Sequence, residues 1–72
     1  MTLKVIQIDP DILNGLPCFA GTRVPVKTLF DYIEHGEPLA EFFEDFPSVK
    51  PAQALSLLEE ARVLVVEHAH SA

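Results

Sequence analysis

Nucleophilic catalysis needs a thiol or hydroxyl, a base beside it and a third group to orient the base. Cys18, His35 and an acidic residue are the available set. Cys18, however, lies between Pro17 and Phe19 in an apolar stretch, where a buried, inert thiol is the ordinary outcome. Glu67, His68 and His70 suggest metal ligation, but i and i+2 positions face different sides of a helix and a chain terminus frays. Glu44-Asp45 and Glu59-Glu60 read as solvated faces rather than acid/base dyads, and no Gly-rich phosphate loop of known spacing is present. No catalytic residue, cofactor or metal is expected. The chemistry left to this chain is recognition.

Recognition requires elements that hold side chains in place, and the chain punctuates them clearly. Leu3 to Ile8 is rich in β-branched residues with imperfect alternation and predicts a short strand ended by Asp9-Pro10. From Asp9 to Pro25 the chain carries three of its six prolines and two of its three glycines besides Asn14 and Thr22, a density that implies turns. Asn14-Gly15 and Gly21-Thr22 suit positive φ, the latter between brief extended pieces around Cys18 to Ala20 and Arg23 to Val24. Pro17 and Pro25 delimit those pieces by fixing φ. The result is a hairpin-like arm over residues 1–25.

After Pro25 the period changes. Val26, Leu29, Phe30 and Ile33 fall at i, i+3, i+4 and i+7, which predicts a helix from Val26 to His35 with its stop at Gly36. Leu39, Phe42, Phe43 and Phe46 repeat that spacing between Pro38 and Pro47 and predict a short aromatic helix. From Pro51, a stripe of Ala54, Leu57, Leu58, Ala61, Leu64, Val65 and His68 predicts the longest helix. Val63 to Val66 alone also permits a strand. Leu55, Val63 and Val66 lie off the stripe, so the C-terminal half is expected to meet something besides its own core. The architecture is mainly α: one domain over residues 1–72, with a three-helix bundle of helix-turn-helix layout over 26–70 behind the β arm.

Composition sets limits on partners. With 72 residues, 49% hydrophobic and 22% charged, the chain is too apolar for disorder, yet its core is small and no disulfide reinforces it. Stabilisation by a partner follows. The longest uninterrupted apolar run is Val63 to Val66, and no basic segment precedes an apolar one at the start, which predicts a cytoplasmic protein. Five cations against eleven acids give a net charge of −6; three oppose four in residues 1–36 and two oppose seven in 37–72. Nucleic-acid binders usually show the opposite balance.

The string Ile8-Asp9-Pro10-Asp11-Ile12-Leu13-Asn14-Gly15-Leu16-Pro17, continued by Ala20-Gly21-Thr22-Arg23-Val24-Pro25-Val26, strongly resembles the small prokaryotic family catalogued as domain of unknown function 433. The likeness extends through Glu34-His35-Gly36 and Glu41-Phe42-Phe43-Glu44-Asp45-Phe46-Pro47 into the third helix. It implies a homeodomain-like helix-turn-helix fold, often dimeric, and a VapB-like antitoxin that neutralises a PIN-like ribonuclease encoded beside it and represses its own operon by binding operator DNA. A stand-alone DNA-binding regulator and a structural dimerisation domain are the alternatives.

On the residues themselves, a recognition role for the third helix would place Gln53 and Ser56 at bases, with Lys50 and Lys27 as phosphate contacts. Lys50 stands where the family usually has Thr or Ser, so the helix lacks its ordinary cap, a loss of about 1 kcal/mol, with Ser48 as the substitute. Arg23 could hold the arm to the helices through acids or carbonyls, or contact a phosphate. Thr22 is suited to closing its turn. For partner binding, Val63 and Val66 supply apolar contacts and Glu59 and Glu60 charge.

Overall fold

The computed structural model describes residues 5–71, with side chains to Ala69. The order is β1 (Ile6–Gln7), β2 (Cys18–Phe19), α1 (Val26–Glu34), α2 (Leu39–Asp45) and α3 (Pro51–Ser71). β1 and β2 pair antiparallel, Ile6 opposite Phe19 and Gln7 opposite Cys18. The expected strand is thus shorter than Leu3–Ile8; Leu3 and Lys4 lie outside the described residues. Cys18 bridges on its other side to Pro25, and the Phe19 N–H donates to the Val24 carbonyl at 3.0 Å. The two pieces flanking Gly21-Thr22 do meet, but the ladder that anchors them is with β1.

Two turns fold the arm. Leu13, Asn14 and Gly15 have φ of 50°, 57° and 84° in succession, so the left-handed turn foreseen at Asn14-Gly15 begins one residue early, on a leucine that adopts this region at a cost. The second turn is closed by Thr22. Its Oγ1 donates to the Phe19 carbonyl at 2.9 Å and accepts the Val24 N–H at 3.0 Å, both inside the protein. Gly21, at φ 77°, supplies the left-handed residue this turn needs.

The core comprises Phe19, Val24, Val26, Leu29, Phe42, Val49, Ala54 and Leu57. Phe42 is fully buried, with the rings of Tyr32, Phe43, Phe46 and Phe19 at 5.4, 5.5, 5.3 and 6.2 Å from its own. One expectation is corrected here. The inward face of α1 is Val26, Leu29 and Tyr32, while Phe30 and Ile33 are 36% and 42% exposed. Edge-on packing of Tyr32 against Phe42 and Phe46 satisfies ring electrostatics and leaves the phenol oxygen at the surface, which turns α1 away from the simpler aliphatic stripe.

α3 is a single helix through Val63 to Val66, which removes the strand alternative. Its predicted stripe weakens along the helix: Ala54 and Leu57 are buried and Leu58 packs on the core, Ala61 and Leu64 are half-buried, and Val65 is 68% exposed. At about 1.5 Å per residue, 21 residues give a rod of about 31 Å, close to the molecule's longest dimension of 36 Å. The radius of gyration, 12.9 Å, exceeds the roughly 11 Å of a compact chain this long, as a projecting helix requires. No described helix is long and apolar enough to cross a membrane.

Thr22→Val keeps the shape of the turn residue but leaves the Val24 N–H buried without an acceptor. Urea unfolding is expected to show a loss of about 1–3 kcal/mol, with Thr22→Ser close to the parent.

Candidate functional site

The surface built around Gly21-Thr22 depends on two glutamines. Gln7 Oε1 accepts the Gly21 N–H at 3.0 Å while its Nε2 donates to the Thr22 carbonyl at 3.4 Å. Gln53, from the first turn of α3, uses Oε1 to accept the Lys50 N–H and Nε2 to donate to the Ala20 carbonyl, both at 3.0 Å. A backbone N–H fixes which end of each amide is oxygen. One glutamine from β1 and one from α3 therefore hold the same turn from two sides. Gln53 thereby satisfies the Lys50 N–H just ahead of α3, as the third helical residue of a capping box does, and Ser48 makes no hydrogen bond among the described residues.

Two adjoining concavities open on this turn. One, of about 400 Å³, is lined by Ala20, Gly21, Thr22, Ser48, Lys50 and Gln53. The other, of about 550 Å³, is lined by Gln7, Ile12, Gly21, Thr22, Arg23 and Ser48. No carboxylate lines either. Arg23 is exposed and makes no hydrogen bond or ion pair among the described residues, so its guanidinium does not tie the arm to the described helices.

The charge is inverted between α1 and α2. A cleft of about 300 Å³ there is lined by Asp31, Tyr32, His35, Glu37, Glu41 and Asp45. The Glu37 carboxylate, as acceptor for a protonated Glu41 and by its repulsion of the ionised form, raises the Glu41 carboxyl above the usual range. Tyr32 O–H donates to Asp45 Oδ2 at 2.6 Å, and this bond, with burial and the surrounding acids, pushes the phenol up to about 12. His35 Nδ1 lies 2.6 Å from the Asp31 carbonyl, whose carboxylate binds Lys27 Nζ at 2.9 Å. Among the described residues no group of three or more His, Cys, Asp or Glu is disposed to hold a metal ion.

Residues 6–61 match the DUF433 family, described as protein of unknown function. The chain belongs to the DUF433 family. The crystal structure of a DUF433 member protein from Anabaena variabilis ATCC 29413 is similar in fold, with a TM-score of 0.69 at 24% identity. The likeness covers 93% of this chain but 66% of that one, so this chain spans about two thirds of its neighbour's length. No curated protein matches it.

On this DUF433 framework the residues singled out from sequence scatter over three surfaces. Lys50 joins Arg23 at the paired concavities; Gln53 is there too, half-buried with its amide engaged at both ends and unavailable for reading a base. Lys27 is across α1's surface in its ion pair with Asp31, and Ser56 is exposed on α3. Glu59 is exposed and pairs with Arg62, whose Nε lies 3.1 Å from it, which holds the Glu59 carboxyl below its usual range. Glu60 is half-buried, its Oε2 sealed from solvent with no hydrogen-bond partner. Val63 is half-buried and Val66 is 42% exposed. Cys18 is fully buried, its thiol donating to the Leu16 carbonyl at 3.3 Å; the side chain of His70 lies outside the described residues.

Sequence reasoning missed the clamping roles of Gln7 and Gln53 and the Tyr32–Asp45 bond. A signal for Tyr32 existed, since it follows Val26 and Leu29 at regular steps of three.

Tyr32 is the sole tyrosine, so phenolate absorbance reports it alone. The midpoint is expected near 12 in the parent and back toward 10.0 in Asp45→Ala. Because the folded value is the raised one, the linked stability is whole below the unfolded phenol's value and is lost as pH climbs through about 12.

Proposed function

We propose that this chain is a non-catalytic, VapB-like antitoxin module that neutralises a PIN-like ribonuclease toxin and, as a homodimer, represses its own operon. The observation that carries the reading is the overlong α3. Its last buried residue among those described is Leu57, yet it continues to Ser71 with Val63 and Leu64 half-buried and Val65 and Val66 exposed. Apolar residues at both faces of a projecting helix offer contact area that the chain's own core does not use.

Charge supports the same surface. A ribonuclease needs a basic surface to hold RNA phosphates, and Glu59 and Glu60 stand on α3 beside those valines. On this reading α1, α2 and α3 form a homeodomain-like helix-turn-helix in which the exposed Ser56 and Lys50 remain available to DNA, while Gln53 does not.

Co-expression with the nuclease encoded beside it is expected to yield a stoichiometric complex in which RNA cleavage is suppressed. Val66→Asp, which places a charge in the apolar contact without touching the buried core, is expected to weaken that complex at least tenfold, about 1.4 kcal/mol. Charge reversal at Glu59 and Glu60 should slow association most at low salt. A nuclease that neither co-purifies nor loses activity would remove the proposal.

A further inference from the structure

We infer that the paired concavities beside Gly21-Thr22 form a phosphate site that takes the backbone of duplex DNA. The inference deepens the operator-binding half of the proposed function and is independent of toxin neutralisation. Arg23 and Lys50 line the two adjoining hollows, which share Gly21, Thr22 and Ser48. Lys27 and Arg62 are engaged in ion pairs, so Arg23 and Lys50 are the two cations without a carboxylate partner among the described residues. In a chain with eleven acids and five cations, both open on a groove that no acid lines.

Hydrogen-bonding capacity points the same way. Two of the main-chain acceptors beside the hollows, the Ala20 and Thr22 carbonyls, are already occupied by the amides of Gln53 and Gln7. The donors are not: the backbone N–H groups of Arg23 and Ser48 have no acceptor among the described residues. A guanidinium, an ammonium and two unbonded backbone amides on residues that line the carboxylate-free hollows suit phosphate oxygens. Because the donors are spread over two hollows rather than gathered at one point, the geometry suits successive charges of a polyanion better than a lone ion. Phosphate contacts of this kind position a protein on DNA without reading sequence.

The test follows amide chemical shifts of the full chain, titrated with a short DNA duplex or with inorganic phosphate, and repeats the titrations with Arg23→Gln and Lys50→Gln. Both side chains are exposed and unbonded, so melting temperature and circular dichroism should match the parent. The duplex is expected to move the amides of Gly21, Arg23 and Ser48. Two phosphate contacts predict affinity falling about twelvefold between about 50 and 200 mM salt, against three- to fourfold for either variant. Inorganic phosphate is expected to move the same amides only weakly. Salt dependence unchanged in both variants, shifts confined to other surfaces, or phosphate binding as tightly as the duplex would each overturn the assignment. Arbitrary sequence suffices for the duplex, so failure to find an operator or a toxin leaves this result standing on its own.

Discussion

The turn at Ala20–Thr22 is where a polar clamp does what a small apolar core cannot. Eight buried apolar residues form the core, of which the arm supplies Phe19 and Val24, with its Val5 and Ile6 packed against them. Its remaining attachment is polar: Gln7 from β1, Gln53 from α3 and the Thr22 hydroxyl between them. Each amide is satisfied at both ends, so none leaves a buried group unpaired, the condition under which polar networks rigidify rather than destabilise. Because Gln53 belongs to the first turn of α3, the same bonds also fix the start of that helix against the arm.

This clamp explains how an acidic chain keeps a cationic surface. The glutamines are neutral and cover carbonyl oxygens, which removes negative partial charge from the groove without adding a carboxylate. Acids accumulate instead between α1 and α2, where Glu37 and Glu41 share hydrogen bonding and Tyr32 donates to Asp45. Overall charge is thus a poor guide to local field here. Screening over about 8 Å at physiological salt lets a surface respond to its own neighbours more than to distant acids.

Much of the fold was legible because proline, glycine and the apolar period agree along the chain. Pro25, Pro38 and Pro51 stand directly before or at the helix starts, and α1 and α2 end within a residue of their predicted limits. The inward face of α1 was misread because periodicity weighs Phe30 and Ile33 above Tyr32, whereas packing favours a ring that can meet Phe42 edge-on and still keep its hydroxyl wet. The site was less legible. Gln53 reads from sequence as an exposed polar residue suited to adenine, and its engagement by Ala20, 33 positions away, is a tertiary fact that no local pattern encodes. Of the two roles open to Arg23, the arm-holding one came from a motif rich in turn residues, yet its side chain makes no hydrogen bond or ion pair among the described residues.

The two ends of α3 differ in what they ask of their surroundings. At its start the Lys50 N–H and the Ala20 carbonyl are met by Gln53, and Ala54 and Leu57 by the core. Beyond Leu58 the helix keeps its apolar content while burial falls off, from half-buried Ala61, Val63 and Leu64 to exposed Val65 and Val66, and an isolated helical segment of this length is marginal in water. Helical order there gains most from packing against a second surface, since propensity alone contributes little and Val63, Val65 and Val66 are each β-branched. The same substitution pattern that makes the segment a poor free-standing helix makes it a good buried one, which is why its stability and its capacity to be covered are one property.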